Sequence, residues 1–244
     1  MSSPAANSIA LLERLVAFDT TSRNSNLELI QHIQGYLGDH GVASTLVPND
    51  EGTKANLYAS IGPSAPGGIV LSGHTDVVPV DGQAWDTDPF ALTAKADGNL
   101  YGRGTCDMKG FIAACLSHVP AFQRARLKVP MHFAFSYDEE IGCLGAHSLA
   151  EKLMGNVPRP QAVIVGEPTM MGVVNAQNAG GGHIATFTGV EAHSSMTHLG
   201  VSAIAFAGDF IHWLNELQVE LAQRVRTDID TVPGHTTINV GIAG

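Results

Sequence analysis

Residues 69–80 read Ile69-Val70-Leu71-Ser72-Gly73-His74-Thr75-Asp76-Val77-Val78-Pro79-Val80, an apolar run that breaks into polar chemistry halfway along. Its first half is rich in β-branched residues and bounded by Gly67-Gly68, the pattern of a strand buried on both faces of a sheet. His74 and Asp76 follow at its C-terminal end, where open α/β sheets bind their ligands. Neutral imidazole is the commonest metal ligand, and a neighbouring carboxylate can orient its ring and fix its tautomer. On this segment alone, a turn carrying a surface histidine is the commoner meaning of the same letters.

Upstream, apolar residues recur at helical spacing from Ser8 to Phe18, and a second helix is expected from a cap at Asn26 to a stop at Gly41. Val42–Val47 and Asn56–Ile61 are predicted strands. Downstream, residues 81–104 form a long loop, with Leu92–Ala94 and Leu100–Tyr101 predicted to pair as a short hairpin around Asp97-Gly98-Asn99. The glycine-rich run Tyr101–Gly110 then opens into an apolar helix, Phe111–Phe122, which puts Asp107 at a helix start; an ordinary N-cap is the simpler account of it. The strand Met131–Tyr137 empties into Asp138-Glu139-Glu140. Adjacent carboxylates repel unless a cation is present, although a solvated acidic turn needs none. A helix over Gly145–Leu153 and a short apolar strand, Gln161–Val165, lead to Gly166-Glu167-Pro168.

The strand–helix–strand rhythm makes the sheet at least partly parallel, so His74, Asp107, Glu140 and Glu167 can converge on one edge. Turns and caps alone would need four separate coincidences to produce this. One His with several carboxylates suits zinc, cobalt or manganese rather than copper. A Glu beside a ligand Glu is placed to act as a general base toward water.

The chain has 244 residues, 44% hydrophobic and 15% charged, enough for a sizeable core. A net charge of -10 argues against nucleic acid or an anionic membrane surface as partner. The N-terminus lacks the basic and apolar regions of a signal peptide, and no apolar run reaches membrane-spanning length. Cys106, Cys115 and Cys143 make no paired framework, so a reducing cytoplasm is the expected setting; Cys106 reads as a small buried hydrophobe.

The runs SGHTDVVPV (72–80), WDTDPF (85–90), LYGRGTCDMKG (100–110), DEEIG (138–142), VGEPT (165–169) and AHSSMTHLGVSAI (192–204) together resemble the di-zinc aminoacylase/carboxypeptidase family of deacylases and exopeptidases. The resemblance implies an α/β fold, a mixed and largely parallel sheet flanked by helices, with part of a smaller α+β lid and dimerisation domain. The expected division is 1–178 for the catalytic domain and 179–244 for the lid, hinged at Gly180-Gly181-Gly182. It implies two divalent ions, zinc or cobalt. Their ligands would be His74 for one, Glu167 for the same one, Glu140 for the other, and Asp107 bridging them, with a cis Asp107–Met108 peptide. Asp76 would hold the His74 ring, Glu139 would be the general base, and His193 would stabilise the oxyanion, often in a partner subunit. From the residues alone, His193 reads equally as a capping or core histidine.

The implied reaction is hydrolysis of the amide bond of an N-acyl amino acid, N-acetyl-L-ornithine to L-ornithine and acetate, as in arginine biosynthesis. A succinylated diaminopimelate is the alternative substrate. A homodimer through the lid helix Ala203–Leu221 is expected, with no nucleic-acid or membrane partner. Two departures stand out. Residues 175–184 lack a His-Lys-Gly-type pattern, and none of His183, His198, His212 or His235 sits where the family's last histidine ligand would be. The chain is therefore expected to hold one ion tightly rather than two, and a truncated, non-catalytic metal-binding or dimerising fragment is the alternative in a different functional class.

Overall fold

A computed structural model describes residues 4–227 and 233–243; Met1–Ser3, part of the N-terminus judged above for a leader, and Gly244 lie outside them. Two compact units are distinguished, Met1–Met171 and Gly172–Gly244.

The first unit is built on a five-stranded sheet. Its strands are β1 (Ser44–Pro48), β2 (Ala55–Ile61), β3 (Ile69–His74), β6 (Met131–Ser136) and β7 (Ala162–Val165), in the order β1-β2-β6-β3-β7. The sheet is mixed: β3 runs parallel to both β6 and β7, whereas β2 is antiparallel to β1 and β6. The organising stretch is thus an interior strand, and its register sets His74 beside Ser136 and Ser72 beside Val165. Strand alternation sends Leu71 into the main core and Val70 into a second cluster on the opposite face. Helices α1 (Pro4–Val16), α2 (Leu27–Asp39) and α3 (Lys109–Ser117) fill the first face, and α5 (Leu144–Asn156) covers the second with Leu149. On α2, Leu29, Ile30, Ile33 and Leu37 are fully buried, each contributing about 1.5–3 kcal/mol of apolar burial. The small hairpin of β4 (Thr93–Ala94) and β5 (Leu100–Tyr101) forms where predicted.

Three local expectations change. Asn26 occupies the N-cap position of α2 without capping it; its side chain instead donates to the Ala55 carbonyl and to Thr75 Oγ1, and accepts from the Ala55 amide. The single helix expected over Phe111–Phe122 is two, α3 and α4 (Val119–Arg124), because Pro120 brings no amide hydrogen to continue the ladder. The strand β7 is exposed along its whole length, with Val163 at 57% and Val165 at 56%: it lies at the sheet's edge, where no described element covers it.

In the second unit, a bridge pairs Val190 with Val201, and a short 3-10 turn, Thr197–Leu199, precedes α6 (Ala203–Ala222). Ser202 caps that helix by accepting from the Ala205 amide at 3.1 Å. Phe187 meets Phe210 at a tilt and Phe210 stacks on Trp213, while Ile204 and Phe206 remain exposed. No strand forms over residues 236–242.

Candidate metal centre

The C-terminal ends of β3 and β6 and the segments after β5 and β7 bring His74, Asp107, Glu139, Glu140 and Glu167 to one place. His74 Nε2 lies 2.9 Å from Asp107 Oδ1, 3.8 Å from Glu167 Oε1 and 4.0 Å from Glu139 Oε2. Two sets of donor atoms each fall within 4.8 Å of one another: His74 with Asp107 and Glu167, and His74 with Glu139 and Glu140. His74 is buried, whereas the carboxylates around it are half-exposed, which leaves the cluster open to solvent on one side.

Local structure explains the convergence. The loop before α3 folds back so that Lys109 N bonds the Gly104 carbonyl, and Met108 packs beneath His74, whose amide donates to its sulfur. The Asp107–Met108 peptide is cis, and Asp107 sits ahead of the helix rather than capping it. Glu167 follows Gly166, whose amide bonds the Ser72 carbonyl; a Cβ there would come within 2.0 Å of the Phe111 ring, so only glycine allows this close approach.

Asp76 does more than stand beside the ring. His74 Nδ1 is 2.9 Å from the Asp76 main-chain oxygen and 3.5 Å from its carboxylate, so the backbone oxygen is the nearer partner that sets the tautomer. The carboxylate itself accepts from the amides of Glu139 (3.0 Å) and Glu140 (3.3 Å) and from Ser22 Oγ (2.8 Å). It therefore grips the turn that presents the two glutamates.

The electrostatics are those of an anionic site. Burial opposes a charge on His74, but hydrogen bonds and charges from Asp76 and Asp107 outweigh it and raise its pKa to about 9. Burial again opposes charge at Asp76, yet the bonds from His74, Ser22 and Glu139 hold its pKa below the usual value. Glu140 and Glu167 are pushed up, first by burial and then by the negative charge of Asp107. Carboxylates crowded against their own repulsion around one imidazole are what a divalent cation would relieve. The donor set of one nitrogen and several oxygens suits zinc, cobalt or manganese. The residues present fit such an ion.

Several contributors escaped sequence reasoning. Lys109 is fully buried and donates to the Phe18 carbonyl at 2.7 Å; burial drives its pKa down to about 7 against the pull of Asp19 and Asp76. Lys54 pairs with Asp138, and Ser22 bonds Asp76. The only signal in the letters was the polar cluster Thr20-Thr21-Ser22 directly after a helix. Cys106 is exposed, not a buried hydrophobe, while Cys115 is buried and its thiol pushed up to about 12. His193 lies in the second unit, exposed, with Nδ1 2.8 Å from Ser195 Oγ.

A model of the peptidase family M20/M25/M40 matches residues 70–224. An acetylornithine deacetylase of Myxococcus xanthus is 40% identical over 240 residues, covering 96% of this chain and 60% of the relative. Another, from Shigella sonnei, is 39% identical over 222 residues, covering 89% of this chain and 55% of the relative. This chain thus spans little more than half the length of those curated relatives. Among solved structures, human carnosine dipeptidase 1 superposes with a TM-score of 0.53 at 30% identity, covering 62% of this chain and 36% of its own. A tripeptidase from Staphylococcus aureus subsp. aureus Mu50, 20% identical with a TM-score of 0.59 over 85% of this chain and 56% of its own, shares the fold. With a family match over residues 70–224, a fold shared with solved peptidases and carboxylates converging on His74, the chain belongs to the M20/M25/M40 peptidase family.

Proposed function

We propose that this chain carries the hydrolytic centre of a metal-dependent amidohydrolase that cleaves N-acyl amino acids, N-acetyl-L-ornithine before others. The observation that carries it is the convergence of Asp107, Glu139, Glu140 and Glu167 on His74, joined to about 40% identity with acetylornithine deacetylases. His74, Asp107 and Glu167 would hold one divalent ion, and Asp107 with Glu140 a second. Zinc or cobalt bound there supplies Lewis acidity toward the scissile carbonyl and makes water a nucleophile near neutral pH. Glu139 would take the proton from the attacking water as its oxygen bonds to the acyl carbon, and return it to the amine nitrogen as the C–N bond breaks, releasing acetate and the free amino acid. Asp76 keeps Glu139 and Glu140 in place through their amides. His193 would donate to the developing oxyanion. The exposed apolar residues of α6, Ile204, Phe206 and Trp213, support a homodimer through that helix. The three free cysteines support a reducing, cytoplasmic setting. No described helix is long and apolar enough to cross a membrane.

One observation favours a second reading. Both donor sets share the single histidine, and its Nδ1 is already taken by the Asp76 carbonyl. Only one histidine-ligated ion can therefore sit there at a time, which suits a metal-binding fragment without turnover. The test is to load the protein with Co2+ or Zn2+, add N-acetyl-L-ornithine and measure acetate. Acetate release supports the deacylase. Ion uptake with no release from any N-acyl amino acid supports the fragment, and absence of ion uptake overturns both.

A further inference from the structure

The partly buried ammonium of Lys54 lies outside the ligand set, yet it touches the machinery from behind. Its Nζ is 2.5 Å from Asp138 Oδ1 and 2.5 Å from the Ser22 carbonyl oxygen, with only 13% of the lysine side chain and 8% of the aspartate exposed. Both partners lead directly into the site. Ser22 donates through its hydroxyl to Asp76, which in turn holds the Glu139 and Glu140 amides. Asp138 is the residue immediately before Glu139, and its backbone is left-handed, with φ 55°. Asp adopts that conformation more readily than most non-glycine residues, yet it stays uncommon and is held here by the surroundings.

Two features identify Lys54 as what imposes it. Asp138 points its carboxylate away from the imidazole cluster, so the acidic run splits: one side chain turns back to Lys54 while the next two face His74. Without a cation behind it, Asp138 would be a third consecutive negative charge with nowhere to turn. The 18–22 segment is also fastened at both ends by lysines, Phe18 by Lys109 and Ser22 by Lys54, and lies alongside residues 75–77 through the Thr21–Val77 bridge. Lys54 thus closes a ring of contacts through Ser22, Asp76, the Glu139–Glu140 amides and Asp138.

We propose that Lys54 is a positioning residue of the candidate metal centre: held between the Ser22 carbonyl and Asp138, it fixes the turn that presents Glu139 and Glu140. The inference rests on the metal-binding reading above, and the test separates the two. Wild type, Lys54→Met, Lys54→Arg and the double variant Lys54→Met/Asp138→Asn are compared by circular dichroism, calorimetric Co2+ titration and amide hydrogen exchange. In folded Lys54→Met, Co2+ affinity falls roughly 10- to 100-fold, the usual cost of losing an outer partner of metal ligands. Exchange at the Glu139 and Glu140 amides speeds up while that of α2 does not, a pattern that general destabilisation would not give. Lys54→Arg recovers part of the affinity. Should Lys54→Met not fold, the double variant, which removes both charges of the pair, folds and still binds Co2+ weakly. A folded lysine variant with wild-type affinity and exchange overturns the inference alone, as does a double variant that fails to fold, since the pair then serves the whole fold. Wild type that takes up no Co2+ overturns the metal reading and this inference with it.

Discussion

Replacing Asp76 by alanine in the ion-free protein separates its two jobs, holding the His74 charge and holding the acidic turn. The carboxylate is 2% exposed and accepts three hydrogen bonds, from Glu139 N at 3.0 Å, Glu140 N at 3.3 Å and Ser22 Oγ at 2.8 Å. A hydrogen bond to a charged group contributes about 1.5–3 kcal/mol. The Glu140 contact is long, and both glutamate amides can recruit water in the loosened turn, so the three together come to about 3–5 kcal/mol rather than their full sum. Asp76→Asn keeps one oxygen as acceptor and should cost about half as much. For a unit of this size, the alanine variant should lose on the order of 10 °C in Tm. The pH dependence tells which job dominates. Asp76 has a depressed folded pKa, so its contribution is present above the unfolded value and is lost as pH falls through the lower folded one. If the amides dominate, the penalty at about pH 10 equals that at pH 7. If the His74 charge dominates, the penalty fades as pH rises through about 9, where that ring becomes neutral. Urea unfolding of the three proteins across that range is the assay. A penalty under about 1 kcal/mol for the alanine variant, or one confined below pH 9, would refute the turn-holding role.

Other outcomes follow from the same geometry. Glu139→Gln should leave Co2+ uptake within a few-fold of wild type while abolishing acetate release from N-acetyl-L-ornithine, and retained turnover would remove Glu139 from the base role. His193→Ala should lower kcat by on the order of a hundredfold with little change in KM; activity regained on mixing it with Glu139→Gln would show the His serving a neighbouring subunit. Because the ion-free His74 stays protonated up to about 9, an ion must displace that proton, so Co2+ affinity should climb roughly tenfold per pH unit from about 7 to about 9 and then level off. A flat profile in those titrations would count against His74 Nε2 as a donor. Gly166→Ala should cost about 1–3 kcal/mol and weaken ion uptake, since its methyl group meets the Phe111 ring; an unchanged melting curve would contradict that packing.

What the letters disclosed depended on whether a residue's chemistry is local. The apolar run Ile69-Val70-Leu71 and the helical spacing of Leu27, Ile30, Ile33 and Leu37 are local, and both became core elements. His74, Asp107, Glu140 and Glu167 were legible because each stands at the end of an element, and a parallel pairing brings element ends together. Asn26 misled because a good capping residue can spend its amide on a distant strand, here Ala55, and nothing local reports that contact. Lys54 and Ser22 were hidden for the same reason: their partners Asp138 and Asp76 are far away in sequence, and an isolated lysine reads as solvated surface. The apolar letters of Val163–Val165 could not distinguish a central strand from an edge, because that depends on what lies beyond the sheet.

That edge has a mechanical meaning for the centre it supports. Glu167 hangs from β7, which among the described residues is hydrogen-bonded to β3 alone and sheltered on neither face. Strands of this kind open at the low end of a protein's free-energy scale. An ion spanning His74 on the interior strand and Glu167 on the outer one would act as a rivet through the last seam of the sheet. Its binding energy would add directly to the cost of peeling β7 away. The seam and the ion would then fail together: chelation would loosen the edge, and fraying of the edge would let the ion go.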